Sequence, residues 1–197
     1  MVRDITLAAS GLLSPKIGGP SVFPYQPPGL WDRPYSKAKW VISEREDRYR
    51  RGVYTFLRRT SPYPSLSIFD APSREFCTVR RVRTNTSLQT LTTLNDPAFF
   101  EAARALARRI VEDAGPDAAA RATYGFRRSL TRRPTPEELE RLVAFWRLGV
   151  DRFQKDPKSA AEVVNDDSVS FSQRPELAAW TMVANVLLNL DETITKE

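Results

Sequence analysis

The sequence predicts a mainly α protein: an irregular helical bundle with a long Pro/Gly-rich N-terminal arm and one or two short strands. Through residues 98–197, apolar side chains recur every three or four positions, which is the period of an amphipathic helix. Several of those stretches are preceded by helix-capping residues. Proline and glycine instead crowd residues 14–36, where neither a helical nor an alternating period is present.

Length and composition indicate a single globular domain. The chain has 197 residues, of which 41% are hydrophobic and 27% charged, enough to bury a real core. No apolar run is long enough to span a membrane, and no secretory signal is visible. We expect one domain over residues 1–197, made of an arm with a short strand (1–69), a polar organising segment (70–97) and a helical bundle (98–197).

The absence of histidine excludes several chemistries. Without histidine, and with Cys77 as the single cysteine, the chain has no Ser-His-Asp or Cys-His catalysis and no histidine-ligated zinc. It also has no c-type haem attachment and no internal disulfide. We expect Cys77 to be a small buried apolar residue. No metal site and no cofactor are expected in this chain, so any catalysis would depend on carboxylates.

The N-terminal arm begins with a helix. Residues 1–10 have an amphipathic period, and Gly11 is placed to cap the helix end. Because these look like the last turns of a helix, we expect the chain to be the C-terminal part of a larger domain. Residues 14–36 predict an extended arm on the surface. Its expected docking residues are Phe23, Tyr25, Leu30 and Trp31.

The best strand candidate is the run from Gly52 to Leu57, which is rich in β-branched and aromatic residues. One strand cannot form a sheet alone. We expect it to pair with the alternating segment from Val79 to Arg83, or with something outside this chain.

The organising segment, residues 70–97, carries the densest set of polar and charged side chains. Thr86 and Gln89 have the spacing of a capping box, which predicts a helix from Ser87. Asp96 followed by Pro97 predicts the next helix start. The candidate binding or structural residues are the charged and amide side chains of this segment with two asparagines of the last helix: Asp70, Arg74, Glu75, Arg80, Arg81, Arg83, Asn85, Gln89, Asn95, Asp96, Asn185 and Asn189.

Capping signals and periodicity predict five helices after this segment. They run from Pro97 to before Gly115, from Asp117 to Leu130, from a Thr135/Glu138 capping box through Val150, from Pro157 toward Val164, and from Pro175 to about Thr193.

The last helix is apolar nearly all round, which is typical of the centre of a bundle. Its exceptions, Thr181, Asn185, Asn189 and Thr193, are spaced by four and form one polar stripe. An unpaired buried asparagine costs roughly 1–3 kcal/mol, so the stripe needs partners. We expect extended backbone or arginines of the organising segment to supply them.

The organising segment has a structural and a functional interpretation. In the structural one, Asp70, Glu75 and Asp96 pair with Arg74, Arg80 and Arg83 and tie an irregular segment to the helices. In the functional one, the same donors form a pocket that binds an anion, a sugar or a peptide. If the domain is an enzyme, Asp70, Glu75 or Asp96 would be its acid and base, and arginines would hold an anionic or sugar substrate.

The basic charge raises nucleic-acid binding as another alternative. The net charge is +6 and the isoelectric point is near 9.7. Arginines are interleaved with aromatic residues from Arg48 to Arg59, and a second cluster runs from Arg80 to Arg83. However, other arginines are scattered beside acidic residues on helices, and no RNP, KH or zinc-finger pattern occurs. Nucleic-acid binding is therefore the least favoured interpretation.

Long phrases of the sequence also carry a family resemblance. They are LAASGLLSPKIGGPSVFPYQPPGLW, RRGVYTFLRRTSPYPSLSIFDAPSREFCTVRRVRTNTSLQTLTTLNDPAFFEAA, RPTPEELERL and PELAAWTMVANVLLNLDETITKE. The chain resembles the C-terminal half of the planctomycete-specific domain of unknown function fifteen fifty-three (PSD1 type). It departs at Ser87, where the family usually has proline at the start of its NTPLQ helix.

The resemblance implies a setting for the chain. In that family the domain ends large secreted or envelope proteins, behind a c-type cytochrome-like domain that carries the haem. It implies a periplasmic or cell-envelope location, with the rest of the parent polypeptide and a polysaccharide as partners. The favoured interpretation is therefore a non-catalytic binding or scaffolding module, and a carboxylate-based enzyme domain is the alternative.

Overall fold

The computed structural model describes residues 1–31, 39–58, 60–73, 75–80 and 84–195. Over these residues the protein is built from nine α-helices and two short 3-10 helices, with no strand. The mainly α prediction is confirmed. The α-helices are α1 (Val2–Ser10), α2 (Pro64–Ile68), α3 (Ser87–Asn95), α4 (Pro97–Asp113), α5 (Ala118–Leu130), α6 (Pro136–Lys155), α7 (Pro157–Val164), α8 (Arg174–Leu188) and α9 (Asp191–Ile194).

Helix α8 lies at the centre of the bundle, as its apolar sequence predicts. It packs against α3, α4, α5, α6 and α7, and Trp180, Val183 and Leu187 are fully buried. The indole of Trp180 stacks on that of Trp146 of α6, with ring centroids 5.3 Å apart. The core therefore forms where the other long helices meet α8. No helix among the described residues has both the length and the apolar character needed to cross a membrane.

The predicted capping signals are confirmed in atomic detail. The Thr86 hydroxyl accepts the Gln89 backbone N–H at 3.3 Å, and the Gln89 side chain accepts the Thr86 N–H at 3.1 Å. Thr135 and Glu138 form the same reciprocal pair at the start of α6. Asp96 caps α4 through the Ala98 N–H at 2.8 Å. Such caps satisfy the backbone donors that a helix leaves unpaired at its first turn.

The strand predicted from Gly52 to Leu57 is wrong. Gly52–Tyr54 forms a 3-10 helix, with Tyr54 N–H donating to the Arg51 carbonyl at 3.0 Å. The following residues bond instead to the arm: Val22 N–H donates to the Tyr54 carbonyl at 2.8 Å, and Phe56 N–H to the Val22 carbonyl at 2.9 Å. Residues 52–57 form one isolated bridge, between Val22 and Thr55, and no strand of the described residues pairs with them. Val79 is fully exposed, and residues 81–83 lie outside the described part of the chain.

The last helix is shorter than predicted. α8 ends at Leu188, Asn189 leaves helical geometry with φ −103° and ψ 0°, and α9 follows after Leu190. Asparagine competes with the helix by offering its side chain to local groups, which favours such a boundary. Thr193 then donates its hydroxyl to the Leu187 carbonyl at 2.8 Å. The four residues of the predicted stripe therefore do not lie on one continuous helix.

Two arginines hold segments of residues 1–69 to one another. Arg3 of α1 donates to the carbonyls of Arg48 and Arg50, both at 2.7 Å. Arg50 is 1% exposed, and its guanidinium lies 3.8 Å from the centroid of the Tyr54 ring. It donates to the Pro20 carbonyl at 3.3 Å, and also to the carbonyl of Gly18. These donors pair backbone carbonyls that lie outside any α-helix or sheet.

The predicted docking residues of the arm differ in how far their side chains are buried. Trp31 is buried, Phe23 and Tyr25 are half-buried, and Leu30 is 40% exposed. The arm residues 32–36 lie outside the described part of the chain.

The prediction for Cys77 is wrong, because its side chain is exposed.

Candidate functional site

The organising segment is centred on the buried amide of Gln89, which is 1% exposed. Its nitrogen donates to the Ile68 carbonyl at 2.9 Å, to the Thr84 hydroxyl at 3.0 Å and to the Asp70 carboxylate at 3.3 Å. Its oxygen accepts the Thr86 N–H as part of the capping box. One side chain therefore joins the end of α2, the residues before α3, and α3 itself.

Asp70 takes part in the same network. Its Oδ2 accepts the backbone N–H of Thr84 at 2.9 Å and the Thr84 hydroxyl at 2.8 Å, besides the Gln89 amide. The Asp70 backbone has a φ of 55°, a left-handed conformation in which aspartate is enriched among non-glycine residues. The carboxylate thus holds together residues 70 and 84, which lie at the two ends of a long loop.

The remaining charged candidates of this segment face solvent or lie outside the described residues. Glu75, Arg80 and Asn95 are exposed, and the Asn95 amide donates to the Leu91 carbonyl of its own helix at 2.8 Å. Asn85 donates to the carboxylate of Asp191 in α9. Arg74, Arg81 and Arg83 lie outside the described part of the chain, so the ion pairs expected with them stay predictions.

The environment of Asp96 differs from those of Asp70 and Glu75. It is partly buried as the N-cap of α4, and that burial raises the pKa of its carboxyl group above the usual value. The backbone N–H groups of Ala98 and Phe99 and the charge of Arg3 act in the opposite direction. Of the three carboxylates considered as acid and base, Asp70 is in a hydrogen-bond network, Glu75 is exposed, and Asp96 caps a helix.

The two asparagines of the predicted stripe are paired through α3. Asn189 accepts the hydroxyl of Thr93, and the buried Asn185 amide donates to the Leu94 carbonyl at 3.4 Å. The organising segment supplies these partners as expected, but from a helix rather than from extended backbone or arginines. Thr181 bonds to its own helix instead, donating to the Leu177 carbonyl at 2.8 Å.

Three arginines between residues 48 and 58 make contacts within the protein, and Arg51 is exposed. Arg48 pairs with Glu101 at 3.1 Å, Arg50 is buried, and the guanidinium of Arg58 lies 4.9 Å from the Trp31 ring centroid. Because Arg48, Arg50 and Arg58 are already engaged by an acid, by carbonyls and by an aromatic ring, these three do not form a free row of cations of the kind that phosphate binding requires.

A cavity of about 390 Å³ lies between residues 25–31 and residues 39–42, and we call it the arm pocket. Its lining combines three aromatic residues with a glutamine, a lysine and small or apolar residues: Tyr25, Gln26, Pro27, Pro28, Gly29, Leu30, Trp31, Lys39, Trp40 and Ile42.

The aromatic side chains that line the arm pocket are held by ring contacts and hydrogen bonds. Trp40 stacks parallel to Tyr63 with centroids 5.7 Å apart, and meets Trp31 edge to face at 5.1 Å. The Trp40 indole N–H donates to the Pro24 carbonyl at 2.7 Å. The Tyr63 hydroxyl donates to the Tyr25 carbonyl at 3.0 Å. These contacts fix the rings in place.

Two buried polar atoms of the arm pocket lining have no hydrogen-bond partner among the described residues. They are the side-chain oxygen of Gln26, a residue 6% exposed, and the indole nitrogen of Trp31, 7% exposed. A buried donor or acceptor left unpaired costs about 1–3 kcal/mol. Sequence reasoning predicted Tyr25 and Trp31 as docking residues but missed Gln26. The available signal was a single amide in the run from Val22 to Trp31, whose other residues are apolar or aromatic.

Two further cavities lie in the helical bundle. One, of about 520 Å³, is bordered by α4, α5 and the start of α8, and its arginines are paired: Arg108 with Asp166 at 2.7 Å, and Arg121 with Glu176. The other, of about 490 Å³, is an apolar groove that includes the exposed Phe145 and Leu148 of α6. Within the described residues, no group of three or more acidic or cysteine side chains could hold a metal ion.

Comparison with known proteins gives one match. The family model PSD1, described as a protein of unknown function (DUF1553), matches residues 1–146, which include α1 to α5 and half of α6. Neither the curated proteins nor the solved structures contain a significant match to the chain.

Proposed function

Because the chain belongs to the PSD1 family (DUF1553), we propose that it is a non-catalytic binding and scaffolding module of a larger cell-envelope protein. The rest of that polypeptide, including a cytochrome c-like domain that carries haem, is its principal partner. The location and the haem partner follow from the family setting that the sequence phrases imply. The binding and scaffolding role is supported by the geometry of the organising segment.

The observation that carries this proposal is the network around Gln89. Both polar atoms of the Gln89 amide have partners within the protein. The nitrogen donates to Ile68, Thr84 and Asp70, and the oxygen accepts from Thr86. A catalytic acid and base need to be positioned toward a substrate. Asp70 is instead positioned by Thr84 and Gln89, and Asp96 by the first turn of α4. Such contacts give rigidity to a module that presents surfaces.

The experiment is a reconstitution of the module with its haem neighbour. The chain and the cytochrome c-like domain of the same polypeptide are produced separately, and their association is measured by isothermal titration calorimetry. We expect saturable binding and a shift in the haem reduction potential when the chain is added, because a neighbouring protein surface changes solvent access to the haem.

A matched control uses the cytochrome c of an unrelated polypeptide, which is expected to show neither effect. If the chain and its haem neighbour do not associate, or if the parent polypeptide carries no haem domain, the proposed partner is wrong. Turnover of a substrate by the isolated chain would contradict the non-catalytic role.

A further inference from the structure

We propose that the arm pocket is a carbohydrate-binding site, which takes a sugar ring between Tyr25, Trp31 and Trp40 and hydrogen-bonds it through Gln26 and Trp31. The proposal deepens the binding part of the proposed function, on which it rests. It names a site and a ligand class for a surface that lies apart from the organising segment.

The unpaired atoms define what the ligand must offer. The Gln26 oxygen accepts hydrogen bonds, so it needs a donor, and the Trp31 N–H donates, so it needs an acceptor. Gln26 lines the arm pocket, and the terminal torsion of a glutamine is broad, so its amide can reorient about that bond. A hydroxyl group is both donor and acceptor. A ring that carries several hydroxyls can therefore satisfy both atoms at once.

Three competing ligand classes satisfy only one of these atoms or neither. A proline-rich segment brings carbonyls for Trp31 but no N–H for Gln26, because proline lacks a backbone donor. A fully ionised phosphate likewise brings acceptors alone. A hydrocarbon chain pairs with neither atom and leaves the cost of both unchanged.

The walls and the size of the arm pocket also suit a sugar. Tyrosine and tryptophan present apolar ring faces together with a polar edge, which matches a sugar that has C–H faces and hydroxyl edges. The volume of about 390 Å³ lies in the lower part of the range for small-molecule sites, so it fits one or two sugar rings. Lys39 lies at the rim and is exposed, where its ammonium can donate to an outer hydroxyl or a uronate.

The test is a binding titration of the whole chain, in which tryptophan fluorescence and calorimetry measure the binding. The probes are cellobiose, xylobiose, chitobiose and digalacturonate at millimolar concentrations, with decaproline and inorganic phosphate as the competing classes. We expect at least one of the four sugars to bind saturably and to change the emission of the chain. Binding of none of them, or of decaproline or phosphate alone, would overturn the proposal.

The decisive variant is Gln26→Leu, which replaces the unpaired amide by an apolar side chain of similar size. Loss of the ligand hydrogen bond is expected to weaken sugar binding by roughly tenfold or more. The same change removes an unpaired buried acceptor, so the melting temperature is expected to stay or to rise. A folded Gln26→Leu variant that binds sugar as the wild type does would overturn the site.

Two further variants test whether sugar binding depends on the arm pocket. Gln154→Leu makes the same substitution at an exposed position of α6, and it is expected to leave sugar binding unchanged. Trp31→Phe keeps a ring but removes the N–H, and it is expected to weaken binding by several-fold. If a sugar binds and is cleaved, the non-catalytic role fails while the site stands. If no sugar binds but the haem domain does, the site fails while the scaffold stands.

Discussion

At the scale of single residues, Gln89 shows how a local signal and a long-range contact can coincide. Its spacing from Thr86 predicts the capping box, which depends only on neighbours in sequence. The bonds of its amide to Ile68, Thr84 and Asp70 depend on how the chain folds back, and no spacing predicts them. The polarity of the segment predicts an organising role, but its central side chain is evident only in three dimensions.

We expect Gln89→Ala to lower the free energy of unfolding by about 2–4 kcal/mol. The change removes several buried hydrogen bonds and leaves Ile68, Thr84 and Thr86 without their partner. Chemical denaturation followed by circular dichroism measures the effect. Asn95→Ala on the same helix is the control, and it is expected to cost less than about 0.5 kcal/mol because Asn95 is exposed. Equal losses in the two variants would contradict the central role of Gln89.

Asp96 leads to a prediction on pH. Because burial raises the pKa of Asp96 in the folded protein, its contribution to stability is fully present below the ordinary value of 3.8 and is lost as the pH rises through the raised value. Asp96→Asn keeps an N-cap but does not titrate. The free energy of unfolding of the variant, relative to wild type, is therefore expected to increase between pH 3.8 and neutrality.

The control for this measurement is Asp117→Asn, at the exposed N-cap of α5, where the Asp117 carboxylate accepts the Ala120 N–H at 2.8 Å. It makes the same chemical change without the burial. A relative stability of Asp96→Asn that falls as the pH rises would contradict the burial effect.

At the scale of elements, the helices that were predicted correctly are those with capping residues and long apolar periods. Helices α3, α4, α6 and α7 begin where their caps predict, because those interactions lie within four residues, and α5 begins one residue after its predicted start. The strand from Gly52 to Leu57 was wrong because β-propensity reflects packing on a sheet, and no neighbouring strand forms among the described residues. The break at Asn189 was missed because apolar periodicity continues through it into α9.

An ion-pair cluster joins the ends of two elements. Arg132, in the turn before α6, donates to both carboxylate oxygens of Glu138 at 2.9 and 2.7 Å, and to Glu192 of α9 at 2.9 and 2.8 Å. The Arg132 guanidinium, together with the capping N–H of Thr135, lowers the pKa of Glu138 to about 2. Planar guanidinium groups suit such two-pronged contacts with carboxylates.

We expect Glu138→Gln to make the acid-side loss of stability shallower. The stabilisation from Glu138 is present above its ordinary pKa of 4.5 and is lost as the pH falls through about 2, so the variant lacks this part of the slope. Glutamine at this position still completes a capping box, so α6 is expected to keep its start. Melting temperatures from about pH 5 to about pH 2 give the measurement.

Glu137→Gln removes the same charge one residue earlier, outside the contacts of Arg132, and is the matched control. Both series are run at low salt, because exposed ion pairs are screened as ionic strength rises. Identical slopes for wild type and Glu138→Gln would show that the Arg132 cluster does not contribute.

At the scale of the whole molecule, residues 14–31 and 39–58 contain no α-helix and are held to one another and to α1 by arginine donors. The composition of residues 14–36 predicted the arm, but not the role of Arg50, because arginine is usually exposed and this one is 1% exposed. The arm pocket was missed for a related reason. Its lining comes from residues 25–31 together with Lys39, Trp40 and Ile42, and contacts between aromatic residues of two separate ranges have no period in sequence.

We expect Arg50→Lys to loosen the arm while leaving the helices intact. Lysine keeps the charge but loses the planar fork that donates to the Pro20 and Gly18 carbonyls and packs on Tyr54. Limited trypsin digestion is expected to cut after Lys16 several-fold faster in the variant, with unchanged helical circular dichroism. Arg51→Lys, at the exposed neighbouring residue, is expected to digest like wild type.

The central position of α8 also has a consequence for the order in which the chain can fold during synthesis. The ribosome synthesises α3 to α7 before α8, the helix that they all contact. Their apolar faces therefore stay exposed while residues 174–188 are still being translated. Cotranslational folding of the bundle is therefore delayed until α8 has left the exit tunnel. In that interval the nascent chain exposes the apolar surface that chaperones recognise.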